Sequence, residues 1–380
     1  MQVRTVLTPA LAVFALLLAS CADDHSAESG SAPSAPDVRQ SLGFDPAELD
    51  EALHPGDDFF AYVNGKWIAE NEIPADRSRY GAFDILRDKS DEDVKAIIEA
   101  ASATENEEGS DQQRVGDLYL SFQDFAARDE SGIGPVQPYL AQIDAIASKD
   151  DVFTFFGVAA RLGFNGPVGM FAYADAKNPG INAMYLSQGG IGLPEREYYF
   201  KDDEKSEALR QQYKALITDV HALAGLAIDP RARDVIYSLE ESIAAAQMTK
   251  EETRNFANNY TKFEQDELGN LVTGAAWDQF LSAFGLPDPG YVVSVTTPFF
   301  AQLGSIVEET GLDEWKLYLR WQVLNSQASR LTRALDDRNF AFYGKALRGS
   351  EEQRPDWKRA VGVVDAGLGE LVGKVYVEKH

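Results

Sequence analysis

Cysteine is all but absent from this sequence: Cys21 is the only one in 380 residues. That excludes an intramolecular disulfide and any CxxC metal site, so stability has to come from packing. Histidine is nearly as scarce, with His25, His54, His221 and His380 the complete set. A protein zinc site draws several His or Cys ligands, often from one helix, and these four scattered histidines offer no three-ligand site, so no bound metal is expected on this chain. H-E-x-x-H, a Walker-type glycine loop and a G-x-S-x-G elbow are all missing. Basic charge is short as well: 35 Lys and Arg stand against 61 Asp and Glu, a formal net charge of −26. Nucleic acid is therefore excluded as a partner, because counterion release needs clustered Lys and Arg.

What is present is a globular composition, 44% hydrophobic and 11% aromatic, behind a short leader. The apolar run VLTPALAVFALLL, residues 6–18, follows Arg4 and is too short and too early to span a membrane. Leu18-Ala19-Ser20-Cys21 resembles the lipobox of bacterial lipoproteins. That resemblance implies a signal peptide over residues 1–20, acylation of Cys21, and a chain held at the bacterial cell envelope by its lipid, each buried methylene contributing about 0.8 kcal/mol. A plain secretory signal with an incidental cysteine is the alternative. The small, polar, proline-containing stretch ADDHSAESGSAPSAPD then reads as a tether, so residues 21–43 precede an ordered region over 44–380.

Helical spacing dominates that region. Leu209, Tyr213, Leu216, Ile217, Val220 and Leu223 form one apolar stripe. A second, with Val235, Leu239, Ile243 and Ala246, starts after Pro230, and the short link between the two predicts an antiparallel helical hairpin. Further helices are expected over residues 93–101, 112–125, 136–147, 151–162 and 313–335, and one β-hairpin from 167–176 and 181–188, turning at Lys177-Asn178-Pro179-Gly180. The fold class is mainly α-helical with a small β-hairpin. The last apolar residues, Trp357, Val361, Leu368, Leu371, Val372 and Val375, keep helical spacing with no closing Gly, Asn or Pro. We expect that helix to run on in a longer protein, its stripe facing a partner this chain lacks.

Chemistry concentrates in HPGDDFFAYVNGKWIAENEIPADRSRYGAFDILRD, residues 54–88, which carries Arg77, Arg79 and Arg87. A planar guanidinium matches both oxygens of a carboxylate, although a core helix with a solvated face explains the same residues. His54 with Asp57 and Asp58 imitates a ligand cluster but reads more simply as a turn and N-cap. His221, within an apolar stripe, reads as a satisfied structural residue.

The residues 57–67 (DDFFAYVNGKW), Ile73-Pro74 and 78–88 (SRYGAFDILRD) resemble the opening of the neprilysin and endothelin-converting-enzyme family of zinc metallopeptidases in its bacterial form. Residues 191–199 (IGLPEREYY), 342–349 (FYGKALRG), Trp357-Lys358-Arg359, and Leu368-Gly369-Glu370 with Val375-Tyr376-Val377-Glu378-Lys379 extend the resemblance in order to the end of the chain. It covers only that family's amino-terminal half, and implies the helical cap domain that admits short peptides and excludes folded proteins. The zinc ligands and base glutamate of the complete enzyme have no counterpart here, so the resemblance implies a chain with no catalytic residue of its own, inactive by itself. It assigns Arg79 to reading the free carboxylate of a short peptide, Asp84 to a nearby acidic partner, and Arg87 to the same substrate pocket. Asn64, Gly65, Trp67, Gly192, Pro194, Tyr198 and Tyr199 read as structural, and the disulfides of vertebrate members cannot form. Two functions are left open: the substrate-gating half of a lipid-anchored zinc metalloendopeptidase, its catalytic half elsewhere, or a non-catalytic peptide-binding or accessory envelope lipoprotein.

Overall fold

The computed structural model describes residues 45–255 and 258–379; Cys21, the leader, the tether, His25 and His380 lie outside them. The chain divides into two compact units, the first ending at Glu72 and the second beginning at Ile73. In the first, Asp58 caps α1 (Phe59–Glu70) by accepting from the backbone N–H of Ala61 at 2.8 Å. Lys66 reaches back to the Ala47 carbonyl at 2.9 Å. The N-cap expected of the HPGDD stretch is therefore observed, and His54 accepts from the Gly56 N–H within the same turn.

The second unit is largely helical. It runs α2 (Ala82–Ser102), α3 (Asp111–Gln123), α4 (Phe125–Ser131), α5 (Gln137–Asp144), α6 (Lys149–Leu162), β1 (Val168–Asp175), β2 (Asn178–Gln188), α7 (Glu197–Phe200), α8 (Glu204–Leu223) and α9 (Pro230–Ala246). There follow α10 (Lys250–Thr253), β3 (Thr261–Glu264), α11 (Trp277–Phe284), β4 (Tyr291–Ser294), α12 (Thr297–Glu309), α13 (Leu312–Gln327), α14 (Arg333–Phe340), a π-helical turn (Ala341–Ala346) and α15 (Asp356–Lys379).

Capping side chains set several boundaries that apolar spacing does not reveal. The helix expected over 112–125 breaks because the Asp124 carboxylate accepts from the Ala127 N–H at 3.0 Å, ending α3 and starting α4. The one expected over 313–335 breaks where Thr332 caps α14. The hairpin is accompanied by two strands that sequence reading did not find, giving a four-stranded sheet of order β1-β2-β4-β3 in which β2 and β4 are parallel. Its turn is tighter than expected, since Asp175 already pairs with Asn178. The buried Asp175 carboxylate accepts from Tyr291 Oη at 2.6 Å, Tyr260 Oη at 3.1 Å and the N–H of Lys177 at 2.8 Å, tying that turn to the later strands.

The main core is aromatic: Phe153 and Phe156 of α6, Trp277 and Phe280 of α11, Phe299 and Phe300 of α12 and Trp315 of α13 are all buried. Gly157 permits the α6–α11 contact, since a Cβ there would lie 2.3 Å from the Phe280 carbonyl oxygen. The expected α8–α9 pairing is present. A second core corrects the expectation for the terminal stripe. Val361, Val364 and Val372 of α15 are buried against Ile97 and Ile98 of α2 and Val115, Tyr119 and Phe122 of α3, with Leu368 and Leu371 packed beside them. The long α2 and the adjacent α3 supply the partner, and of the expected stripe Val375 stays 39% exposed.

Within the main core lies a carboxylate with no cationic partner among the described residues. Glu240 of α9, fully buried, accepts from Tyr199 Oη (2.7 Å), Tyr213 Oη (2.8 Å), Trp321 Nε1 (2.9 Å), Gln322 Nε2 (2.6 Å) and the Gly192 N–H (3.4 Å). Burial raises its pKa, and the hydrogen bonds from Tyr199, Tyr213 and Trp321 only partly oppose that rise. Tyr199 and Tyr213 are shifted well upward by the same burial, with the field of Glu240 adding to it, and so remain donors. Glu240→Ala should therefore strand four buried side-chain donors and destabilise the chain by about 3 kcal/mol or more, whereas Glu240→Gln, which keeps the shape and one acceptor, should cost less. Urea unfolding of the two variants checks this; equal, small losses would show that the donors find other partners.

Candidate functional site

The segment carrying the predicted arginines is held rigidly by its neighbour. The Ala75 carbonyl accepts from the backbone N–H groups of Glu351 and Glu352, each at 2.9 Å. Arg77 is nearly buried, its side chain 8% exposed, with Nε on Asp76 at 3.1 Å, Nη2 on Asp88 at 3.0 Å and its guanidinium over the Tyr80 ring. Asp88 also receives Lys358 Nζ at 2.9 Å, which joins α2 to α15. Burial works against the Arg77 charge, but the hydrogen bonds it donates to Asp88 and Asp76, with the fields of the two carboxylates, outweigh it and the pKa rises. Burial likewise works against the Asp88 charge, and Lys358 and Arg77 together hold that carboxyl below its ordinary range. Sequence reading grouped Arg77 with the other two arginines; the structure gives it to the frame instead.

With Arg77 fixed, the backbone delivers Arg79 and Arg87 outward, both exposed. Asp84 is half-buried in the first turn of α2, where a negative charge suits the helix N-terminus. Among the described residues no ion pair joins Asp84 to Arg79 or Arg87. Phe83, 89% exposed, and Leu86, 63% exposed, belong to the same stretch of sequence, which therefore presents apolar as well as cationic side chains. Such a surface can present guanidinium forks to a carboxylate and cover the adjoining apolar side chain.

A polar cavity of about 610 Å³ opens elsewhere in the same unit, among Asp76, Asn165, Gly192, Asn325, Tyr343 and Arg359. Sequence reading did not find it, because its walls come from five separated segments. The π-helical turn is one of them. Tyr343 Oη donates to the Gly192 carbonyl at 3.0 Å and accepts from Asn325 Nδ2 at 2.8 Å. On another wall Asp336, wholly buried, receives both Arg359 Nη2 contacts, at 2.6 and 2.7 Å, and Gln353 Nε2 at 3.1 Å. Gly192, placed among structural residues from sequence, has that role: a Cβ there would fall 1.7 Å from Tyr213 Oη.

No group of three or more His, Cys, Asp or Glu able to hold a metal occurs among the described residues. His221 is buried, with Nδ1 on the Ile217 carbonyl at 2.7 Å and its ring stacked on Trp321. Its Nε2 has no hydrogen-bond partner among the described residues, so the expected satisfaction holds for one nitrogen only. Burial lowers its pKa. No described helix is long and apolar enough to cross a membrane.

A family model for the amino-terminal domain of peptidase family M13 matches residues 55–380. Human membrane metallo-endopeptidase-like 1 is 24% identical over 359 residues, covering 87% of this chain and 45% of that protein. Rabbit (Oryctolagus cuniculus) neprilysin is 26% identical over 362 residues, with 87% and 48% covered. Among solved structures, the inhibitor complex of Mycobacterium tuberculosis zinc metalloprotease Zmp1 superposes with a TM-score of 0.83 at 33% identity, covering 89% of this chain and 52% of that one. PepO from Lactobacillus rhamnosis shares the fold, at a TM-score of 0.69 and 18% identity. The chain spans about half the length of the curated relatives it matches.

The Arg77–Asp88–Lys358 tie makes a pH-dependent contribution of definite sign. Because the Asp88 pKa is depressed on folding, the stabilisation is present above the unfolded carboxylate value of about 3.9 and is lost as pH falls through the folded value. Asp88→Asn should cost about 1 to 3 kcal/mol near neutral pH, and the gap to the unsubstituted chain should close in acid. A gap that stays constant from pH 7 to pH 3 in urea unfolding would contradict the assignment.

Proposed function

The chain belongs to peptidase family M13, and from that premise we propose that it is the amino-terminal, substrate-gating portion of a lipid-anchored zinc metalloendopeptidase that acts on short peptides. The observation that carries the proposal is the rigid seating of Arg77, which leaves Arg79 and Arg87 exposed and without an ion pair among the described residues around the start of α2. Arg79 binds the free carboxylate of a short peptide, Arg87 lines the same pocket, and Asp84 limits where the positive charge can settle. These residues bind and orient; they transfer no proton.

The described residues do not fit a zinc site. In complete zinc metallopeptidases of this family the metal would supply polarisation of the scissile carbonyl and activation of water, and the described residues of this chain would not hold it. The helical cap contributes position, holding a peptide end so that a distant bond meets the catalytic groups, and excludes folded proteins from the cavity. Acylation of Cys21 fixes the assembly at the bacterial envelope.

Joined to the catalytic half of a family member, Arg79→Ala should lower kcat/KM for free-acid peptides by about 1.5 to 3 kcal/mol, the range of a charged hydrogen bond. Amidated peptides should lose much less, and equal losses for both would overturn the carboxylate role. For the anchor, Cys21→Ser should move the chain out of the membrane fraction. Unchanged detergent-dependent fractionation of that variant would remove the lipid from the account.

A further inference from the structure

The four-stranded sheet ends in a strand edge that no described element covers. β1 stands outermost in the order β1-β2-β4-β3 and pairs only with β2. The Gly189 N–H bonds the Pro167 carbonyl at 2.9 Å, in the same register that pairs Val168 with Gln188. Residues of an antiparallel ladder bond alternately to one side and the other. Gly169, Phe171 and Tyr173 therefore bond β2, while the N–H and C=O of Met170, Ala172 and Ala174 point away from it. Of these outward groups only the Ala174 carbonyl has a partner among the described residues, Tyr185 Oη at 3.1 Å.

Proteins blunt such edges with Lys, with Pro or with a covering element, because unpaired strand groups accept a further strand. The stretch VGMFAYA, residues 168–174, has no charge and no proline, and Phe171, Ala172 and Tyr173 are all exposed. Tyr173 is 68% exposed and Phe171 45%. Both rings lie on the outer face of the sheet in fixed positions, Phe171 stacked on Tyr185 with centroids 5.6 Å apart and Tyr173 edge-on to the same ring.

Two observations select a second copy of this chain as the partner. At a formal charge of −26, two copies repel each other wherever acids meet. From Asn165 to Gln188, however, the sequence holds one acid, Asp175, and one base, Lys177, and Asp175 is buried and spent on Tyr260 and Tyr291. The hairpin is thus a neutral window in an acidic chain. The order of residues about Ala172 is also self-complementary, as a two-fold contact requires. An axis through Ala172 sets Met170 against the partner's Ala174, so that outward N–H and C=O groups meet one another. It also sets Phe171 against the partner's Tyr173, in the non-bonded pairs where side chains approach most closely and aromatic pairs add stability.

We propose that the outer edge of β1 is a self-association surface, at which two copies pair antiparallel about Ala172 into one continuous sheet. A single strand pair is a small interface, so the dimer is weak and reversible. The proposal does not depend on the peptide-reading role of Arg79.

Sedimentation velocity over a concentration series tests it, in a Cys21→Ser background that leaves no thiol in the chain. The chain should pass reversibly from monomer to dimer. Ala172→Pro removes an N–H that serves no bond within the chain, and Tyr173→Lys places a charge on the edge; each should raise the dissociation constant about tenfold or more with little change in melting temperature. Ala172→Cys in the same background should give a disulfide-linked dimer on mild oxidation, since bonded partners lie about 5.5 Å apart at Cα, whereas Asn182→Cys, one strand further in, should not. A monomer at every concentration would overturn the proposal, as would a dimer that neither Ala172→Pro nor Tyr173→Lys weakens. A chain that stays monomeric but binds tetra-alanine, in a calorimetric titration that Ala172→Pro abolishes, would also overturn it and make the edge a receptor for an extended peptide instead.

Discussion

The buried Glu240 carboxylate, which has no ion pair among the described residues, fixes the geometry of the larger unit. An isolated ionised group in an apolar interior is costly unless hydrogen bonds replace its water, and Glu240 obtains them from three places in the chain: the Gly192–Tyr199 segment, α8 through Tyr213, and α13 through Trp321 and Gln322. Each donor has one acceptable position, so the helices cannot slide past each other without stranding a polar group. Apolar packing of Phe153, Phe156, Trp315 and their neighbours supplies the bulk of the stabilisation, but it tolerates alternative registers in a way that directed bonds do not. The Gly192 wall of the polar cavity is placed by the same carboxylate.

Charge economy runs through the rest of the unit. With far fewer bases than acids, the chain commits individual arginines to structural tasks. Arg128 satisfies the carbonyls of Phe122, Ser329 and Leu331, Arg359 neutralises Asp336, and Arg77 joins Asp88 to the 73–81 segment. The arginines left unengaged then become informative. Arg79 just before α2 and Arg87 within it are exposed, Arg348 and Arg354 line the cavity, and none of the four forms an ion pair among the described residues.

Much of this was legible in the sequence. Apolar periodicity located α6, α8, α9 and the hairpin, because each buries a single face whose spacing is local. Family resemblance carried the amino-terminal assignment further than any physical signal, through motifs such as 191–199 whose members prove to be structural: Tyr199 donates to Glu240, and Gly192 admits Tyr213. What stayed hidden was non-local. Strands β3 and β4 have four residues each, too few for alternation to show, and are defined by their pairing to β2 and by Asp175. Glu240 was not singled out, since nothing in its own helix announces donors that arrive from sequence positions 192 to 322. The α15 stripe was read correctly as apolar and wrongly as unpartnered, because α2 and α3 lie more than two hundred residues away.

The claim that Glu240 makes the cavity wall and the helical core one cooperative unit is tested most directly by native-state hydrogen exchange in low urea. Amides in the 191–199 segment should share with those of Ile217 in α8, Ile243 in α9 and Val323 in α13 a common opening free energy and denaturant dependence. Early, low-energy opening of the 191–199 segment while α8, α9 and α13 stay protected would contradict it.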